Sequence, residues 1–215
     1  MGGMATVLEH PATQSDCAPA HKGRPRGFCT DTALAAALRV FWTKGYEGAS
    51  ISDLTEAMGI TRPSMYAAFG NKESLFRHAL DLYEREKLDY VGRALAAPTA
   101  RGVAERMMRG GIEAQTSDCA AKGCLSVISI LPCGDDAVTI REEVIARRAS
   151  SHAAMLARFE RAQAEGDFGD ELAPGDLINY LLAVLQGLAV QASGGAPREQ
   201  LERTVELTLR TWPTQ

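Results

Sequence analysis

The 215-residue sequence lacks the features that mark membrane and secreted proteins. It has no run of the roughly 18 consecutive apolar residues that a membrane span needs. Its N-terminus also lacks the basic start, the apolar run and the small-residue cleavage site of a secretory signal. Apolar residues make up 46% of the chain and charged residues 23%, which disfavours general disorder and a fibrous chain. We therefore expect a globular cytoplasmic protein with no membrane partner.

The chain is also poor in cysteine and histidine, with five and four residues respectively. An odd number of widely spaced cysteines argues against a secreted disulfide framework, so we expect free thiols. The sequence shows no strand-like alternation and no internal repeat, and apolar residues recur instead at helical spacing. The predicted fold class is all-α.

The N-terminal part predicts a disordered tail and then a set of helices. Residues 1–21 have no apolar period. A helix begins near Asp31 and ends at Gly45. Ser50 then caps a short helix that Gly59 ends, and Thr61 caps a second short helix with Pro63 in its first turn. A fourth, longer helix follows, capped by Asn71.

The rest of the chain predicts longer helices. A helix runs from Pro98-Thr99 to Thr116, and a buried helix follows in residues 122–131. An amphipathic helix runs from Asp135 to Glu165, and one stripe of it carries Ile145, His152, Leu156 and Phe159. An apolar helix covers Leu177 to Val190, and Pro197 opens the last helix. We expect about nine helices: a three-helix helix-turn-helix domain at residues 22–84, joined by a long helix to a ligand-binding and dimerisation domain at residues 85–215.

Two short helices joined by the turn Gly59-Ile60-Thr61 have the geometry that seats the second helix in the major groove of DNA. That helix presents Arg62, which can donate bidentately to guanine O6 and N7. The polar side chains around it can bind bases or phosphates, although some of them can equally serve only as caps or packing residues. The predicted DNA-binding set is Arg24, Arg26, Ser50, Thr61, Arg62, Pro63, Ser64, Tyr66 and Lys72.

The charge distribution agrees with this expectation. Residues 22–78 carry eight basic and five acidic side chains, a net charge of +3, whereas the whole chain has a net charge of −4. A positively charged N-terminal part in an otherwise negatively charged chain suits a protein that binds DNA at one end.

Residues 24–84 closely resemble the N-terminal domain of TetR/AcrR-type transcriptional regulators. The resemblance rests on the string F-W-x-x-G-Y-x-x-x-S-I-x-D-L-x-x-A-M-G-I-x-x-P-S-M-Y-x-x-F-x-N-K-E-x-L-F, which begins at Phe41. It implies a repressor that binds a palindromic operator as a homodimer and leaves it when a small molecule enters the C-terminal domain. It also implies that Arg62 to Phe69 is the recognition helix, that Tyr66 and Lys72 contact phosphates, and that the basic arm at Arg24–Arg26 reaches the minor groove or the backbone.

The resemblance further implies that the last two helices pair with those of a second subunit. Their apolar residues predict the interface, with a wholly buried central helix as the alternative. The predicted interface residues are Tyr180, Val184, Leu188, Leu201, Val205 and Leu209.

The signal that releases DNA has several candidates. The resemblance implies a hydrophobic organic effector, and the predicted sensor residues are Met108, Cys119, Cys124, Cys133, His152 and Met155. The cysteines can be buried apolar residues, a thiol sensor or metal ligands, although their spacing lacks a C-x2-C knuckle. A cysteine enzyme with His152 as base is the weakest hypothesis, because no third group orients the pair. We therefore expect no catalytic residue, no cofactor and no bound metal.

Overall fold

The computed structural model describes residues 28–117, 122–128 and 137–213. These ranges contain ten α-helices and no strand, which confirms the all-α prediction. None of these helices is long and apolar enough to cross a membrane. The helices are α1 (Thr30–Gly48), α2 (Ile51–Met58), α3 (Arg62–Phe69), α4 (Lys72–Lys87), α5 (Asp89–Leu95), α6 (Ala100–Thr116), α7 (Leu125–Ile128), α8 (Val138–Ala164), α9 (Pro174–Ser193) and α10 (Arg198–Arg210).

The first three helices begin and end where the sequence predicts. The φ of +70° at Gly45 interrupts α1 at the predicted place, although helical turns continue to Gly48. Ser50 caps α2 in a reciprocal capping box with Asp53, and Gly59 ends α2 in the left-handed conformation with a φ of +65°. Local chemistry therefore sets these boundaries.

The long connecting helix of the prediction is wrong in one respect, because the chain breaks it at Leu88 into α4 and α5. Neither glycine nor proline marks the break. The packing of α5 against α6 accounts for the new direction, since the Tyr90 ring fills the space where Gly110 has no side chain. A Cβ atom built on Gly110 would lie 2.4 Å from Tyr90 Cδ2.

Two hydrophobic cores divide the molecule. The first core lies among α1 to α4 and contains the edge-to-face pairs Phe41–Phe76 and Trp42–Tyr83, each with ring centroids 5.0 Å apart. The second core is formed mainly by α5, α6, α8, α9 and α10. The division falls close to the predicted boundary at residue 84, but the first core also includes Leu125, Ile140 and Val144 from the second half of the chain.

The buried stripe of α8 differs from the prediction. Ile145 is 50% exposed, whereas its neighbour Val144 is buried in the first core. The reason is that Glu143 and Arg147 form ion pairs with α4, which turns the Val144 side of the helix inward and leaves Ile145 in solvent. The buried apolar residues of α8 are Ile140, Val144, Met155, Phe159 and Ala162.

The segment Lys122–Leu125, which we call the junction segment, joins the two cores. Trp42 Nε1 on α1 donates a buried hydrogen bond of 3.0 Å to the carbonyl oxygen of Gly123. On the other side, the Ser193 hydroxyl on α9 lies between two acceptors, 3.0 Å from the carbonyl oxygen of Ala189 and 3.3 Å from that of Lys122. Gly123 has a φ of +87°, which favours glycine.

We expect Gly123→Ala to destabilise the protein by about 2 kcal/mol, the scale of a strained backbone position. The new Cβ would meet Ser193 Oγ at 1.9 Å and the Ala189 carbonyl oxygen at 2.9 Å, in addition to the unfavourable φ. Urea denaturation measures the change in the free energy of unfolding.

The matched control is Gly92→Ala in α5, where a Cβ would meet no atom within 4 Å. Alanine should raise helix stability there by roughly 0.5–1 kcal/mol. Equal effects of the two substitutions would show that the junction segment does not constrain the fold.

Candidate nucleic-acid interface

The two helices α2 and α3 meet at a tight turn. The amides of Gly59 and Ile60 donate back to the carbonyl oxygens of Glu56 and Thr55, each at 3.1 Å, and this closes α2. Met65 and Phe69 are buried, as predicted, so they fix α3 against the first core. The opposite side of α3 is exposed and carries Thr61, Arg62, Pro63 and Tyr66.

Three of the predicted polar residues act as helix caps. Thr61 Oγ1 accepts a hydrogen bond of 3.3 Å from the Ser64 amide and lies 2.9 Å from the Ser64 hydroxyl. Asn71 Oδ1 accepts from the Ser74 amide at 2.7 Å. Ser50 Oγ accepts from the Asp53 amide at 3.1 Å. The capping interpretation of Ser50 and Thr61 is therefore confirmed, and capping is compatible with phosphate contact at the same helix ends.

Arg62 is exposed, and one nitrogen of its guanidinium group is fixed by a hydrogen bond. Its Nη2 donates a hydrogen bond of 2.8 Å to the hydroxyl of Ser52 on α2. Guanidinium has five N–H donors, so this bond leaves most of the fork available for a base edge. Sequence reasoning missed Ser52, because a pair ten residues apart on different helices follows no helical spacing.

Asp53 is the acidic group of this surface, and its charge is matched by Lys44. The Lys44 ammonium lies 2.7 Å from Asp53 Oδ1. This ion pair, followed by hydrogen bonds from Ser50, lowers the pKa of Asp53 from 3.8 to about 2. The carboxylate therefore fastens α2 to α1, and its charge is offset where phosphates would approach.

Lys72 lies at the start of α4 with its Nζ atom 4.6 Å from the centre of the Tyr46 ring. Burial lowers the pKa of the Lys72 ammonium, and the charge of Glu47 opposes that shift. Tyr66 is 47% exposed on α3, so its ring does not serve only as a core residue. Tyr66 is thus exposed, whereas Lys72 is half-buried against Tyr46.

The predicted basic arm, Arg24 and Arg26, lies outside the described residues. Phe28, the first described residue, lines a concave surface of about 580 Å³ together with Ile60 and Ser64. Phe28 therefore lies beside the turn of the helix-turn-helix.

The four predicted sensor residues that the structure describes do not form one cluster. Met108 and Met155 are buried in the second core, whereas Cys124 is half-buried and packs against the first core. His152 is half-buried on α8. Cys119 and Cys133 lie outside the described residues. Within residues 28–117, 122–128 and 137–213, no group of three residues is placed to hold a metal ion.

The predicted dimer interface needs a correction. Leu188, Leu201, Val205 and Leu209 are buried inside the chain's own second core, so they offer no surface to a partner. Helical periodicity identified the stripe that packs inward. Two exposed apolar residues on the same helices were missed, Val190 at 54% and Leu207 at 62%. Tyr180 is exposed and Val184 half-buried, as an interface requires.

Comparison with known proteins identifies the family of the chain. Residues 33–79 match the model of the family described as bacterial regulatory proteins, tetR family. The chain is 31% identical over 212 residues to the HTH-type transcriptional repressor ComR of Escherichia coli strain K12, covering 94% of this chain and 98% of ComR. It is also 44% identical over 61 residues to the repressor BdcR of the same organism, covering 28% of this chain and 31% of BdcR.

Solved structures agree. A cysteine-substituted form of the TetR family regulator CifR, in complex with 26-base-pair double-strand operator DNA, superposes with a TM-score of 0.82 at 42% identity. The match covers 88% of this chain and all of CifR. With the helix-turn-helix of α2 and α3 and the all-α fold, these matches show that the chain belongs to the TetR family and is a DNA-binding transcriptional repressor, not an enzyme.

Proposed function

We propose that this repressor binds a palindromic operator as a homodimer and leaves it when a small molecule binds the C-terminal domain. The observation that carries the DNA-binding part is the exposed face of α3, on which the Arg62 guanidinium donates a hydrogen bond to Ser52. The operator complex of CifR, which is similar over nearly the whole chain, supports it.

In this proposal the side chains divide by role. Arg62 reads a guanine in the major groove, and Ser52 limits the positions that its guanidinium adopts. Tyr66 and Lys72 bind phosphates, and the caps of α2 and α3 bring helix N-termini to the backbone. The proposed DNA-contacting set is Arg24, Arg26, Ser50, Thr61, Arg62, Pro63, Ser64, Tyr66 and Lys72, with the two arginines of the arm in the minor groove.

We expect Arg62→Ala to weaken operator binding by about 1–3 kcal/mol and to relax the preference at one base pair, since a bidentate pair to guanine is lost. Footprinting on the promoter of its own or the adjacent gene, followed by titration of the operator found, measures both effects.

The control is Arg93→Ala on α5, which removes an exposed arginine paired with Asp89 outside the helix-turn-helix. It should leave operator affinity unchanged. Binding that is weak and equal for all DNA sequences in the wild type would contradict the proposal.

The homodimer is supported by apolar surface on α9 and α10. Tyr180 and Val184 lie one turn apart on α9, and Val190 on α9 and Leu207 on α10 add exposed apolar area. A second copy would cover these side chains in a four-helix bundle. Its symmetry would present two recognition helices about 34–36 Å apart, the spacing of successive major grooves.

We expect Leu207→Glu to shift the protein from dimer to monomer and to abolish binding across both half-sites, because it places a charge in an apolar interface. Sedimentation velocity at micromolar concentration measures the mass. The matched control is Ile145→Glu, which changes an equally apolar exposed residue on α8. Dissociation by both variants, or by neither, would place the interface elsewhere.

A ligand-responsive C-terminal domain is supported by unpartnered polar atoms. In the described part of the chain, every buried side-chain N or O atom without a hydrogen-bond partner belongs to the second half, namely to Gln115, Arg158 and Trp212. Native cores seldom leave such atoms without a partner unless they serve a purpose. An organic ligand that contacts this core is the first candidate for the signal.

A thiol signal is the second candidate, and the position of Cys124 favours it. The Cys124 sulfur lies 3.5 Å from the Tyr83 hydroxyl on α4, in the segment that Trp42 ties to α1. Oxidation of this thiol to a sulfenic acid adds an oxygen where the first core is packed. The metal alternative requires Cys119 and Cys133, which lie outside the described residues.

If the thiol is the signal, hydrogen peroxide releases the wild-type protein from its operator and fails to release Cys124→Ser. Fluorescence anisotropy of labelled operator DNA, with reductant added afterwards to restore binding, measures this. Cys29→Ser is the control for a thiol at the start of α1. Release of Cys124→Ser by peroxide would contradict the assignment to Cys124 and point to another cysteine, and no release of the wild type would leave the organic ligand as the signal.

A further inference from the structure

Arg158 on α8 is a cation buried in the second half of the molecule. It is 6% exposed, and its Nη2 donates a hydrogen bond of 2.7 Å to the carbonyl oxygen of Ala97, which follows α5. Its Nε and Nη1 atoms have no hydrogen-bond partner. Among the residues that the structure describes, no carboxylate lies within 4.0 Å of the guanidinium, so one neutral acceptor is all that it contacts.

This arrangement is unfavourable without a further partner. The guanidinium stays protonated in proteins, so burial cannot be relieved by losing a proton. A buried charge that lacks a counter-ion is strongly destabilising. Three turns earlier on the same helix, the charge of Arg147 is balanced by carboxylates, since it pairs with Asp81, Glu84 and Glu143.

Asp167, an acidic residue between α8 and α9, is engaged elsewhere. The carboxylate of Asp167 accepts a hydrogen bond from the amide of Ala100, at the N-terminus of α6. It caps that helix and makes no ion pair with Arg158. Since no carboxylate among the residues that the structure describes pairs with Arg158, a counter-ion from another molecule can fill this role.

We propose that Arg158 binds the carboxylate of an apolar acid, and that such acids are the class of effector that this repressor recognises. This rests on the proposed release by a small molecule. Charge-assisted bonds from a guanidinium to a carboxylate are among the strongest in proteins, and both unpartnered nitrogens can donate. The body of the ligand must be apolar, because Met155 and Ala162, one turn before and after Arg158 on α8, are buried in the second core.

The hydrogen bond to Ala97 connects the site to the DNA-binding helices. Ala97 follows α5, and α5 continues from α4, which packs on α1 and α3. A carboxylate that draws the guanidinium away from Ala97 would free this end of α5. The site is therefore suited to change the position of α4 when it is filled.

Octanoate and octanol, which differ in the charged head group, test the proposal on the full-length protein by titration calorimetry and thermal shift. We expect octanoate to bind the wild type at least about tenfold more tightly than octanol, since a charge-assisted bond is roughly twice as strong as a neutral one. Inorganic phosphate alone is expected to bind far more weakly than octanoate, because it lacks an apolar body.

Arg158→Met should remove the preference for octanoate while the melting temperature of the free protein stays equal or rises, because a buried unpaired charge is lost. Arg158→Lys keeps the charge and should keep a weaker preference, which covers the case that Arg158→Met does not fold. The control Arg161→Met removes an exposed arginine from the same helix and should bind octanoate as the wild type does.

Equal binding of octanoate and octanol, no binding of either, or a preference that survives in Arg158→Met would overturn the proposal. Phosphate that binds as tightly as octanoate would show that the ligand need not be apolar. Operator binding by the same protein is measured in a separate titration, so that the two proposals are tested independently. A protein that prefers octanoate through Arg158 but recognises no operator would keep this site and refute the proposed function, and the converse result would refute only this site.

Discussion

The hydrogen bond from Trp42 Nε1 to the carbonyl oxygen of Gly123 is the contact on which the rest of the structure depends. It joins residues 81 positions apart and is buried, so breaking it would leave a donor and an acceptor without water. It also brings the junction segment to the first core, which Leu125, Ile140 and Val144 then complete. The DNA-binding helices are therefore not an independent domain in the physical sense. Their core includes residues that the C-terminal half supplies.

Helix α8 contacts both α4 and the segment that follows α5, so it also links the C-terminal half to the DNA-binding helices. Near its start, Glu143 and Arg147 pair with Arg77, Asp81 and Glu84 on α4. Near its end, Arg158 bonds to Ala97 after α5. Partly exposed ion pairs of this kind contribute little stability individually, but they fix one helix against another. A ligand that shifts α8 at its distal end would thus act on the same helix that holds α4 beside α3. Under the proposed function, this contact would couple an effector in the second core to the DNA-binding face.

The sequence predicted those features that depend on neighbours along the chain. Ser50, Thr61 and Asn71 cap helices where expected, and Gly59 ends α2 in the left-handed conformation, because caps need only residue type and spacing. The pairs Ser52–Arg62 and Trp42–Gly123 were not predictable, since they depend on how helices are placed in space. The same reason explains Ile145 and the break at Leu88. Periodicity shows that a helix has an apolar stripe, whereas tertiary packing decides which neighbouring residue faces inward.

Most of the interface residues predicted on α9 and α10 are buried because tertiary packing, and not periodicity, decides which face points inward. This affects how the proposed dimer would assemble. A helix that packs in a monomer and also meets a partner needs two apolar faces, and the stronger pattern marks the inner one. Leu201, Val205 and Leu209 recur every four residues and fill the core, while Leu207 stands alone among polar residues on the outer side. An interface that uses such isolated residues depends on shape and on few apolar contacts. It is therefore sensitive to small rotations of α9, the helix whose Ser193 bonds to the junction segment.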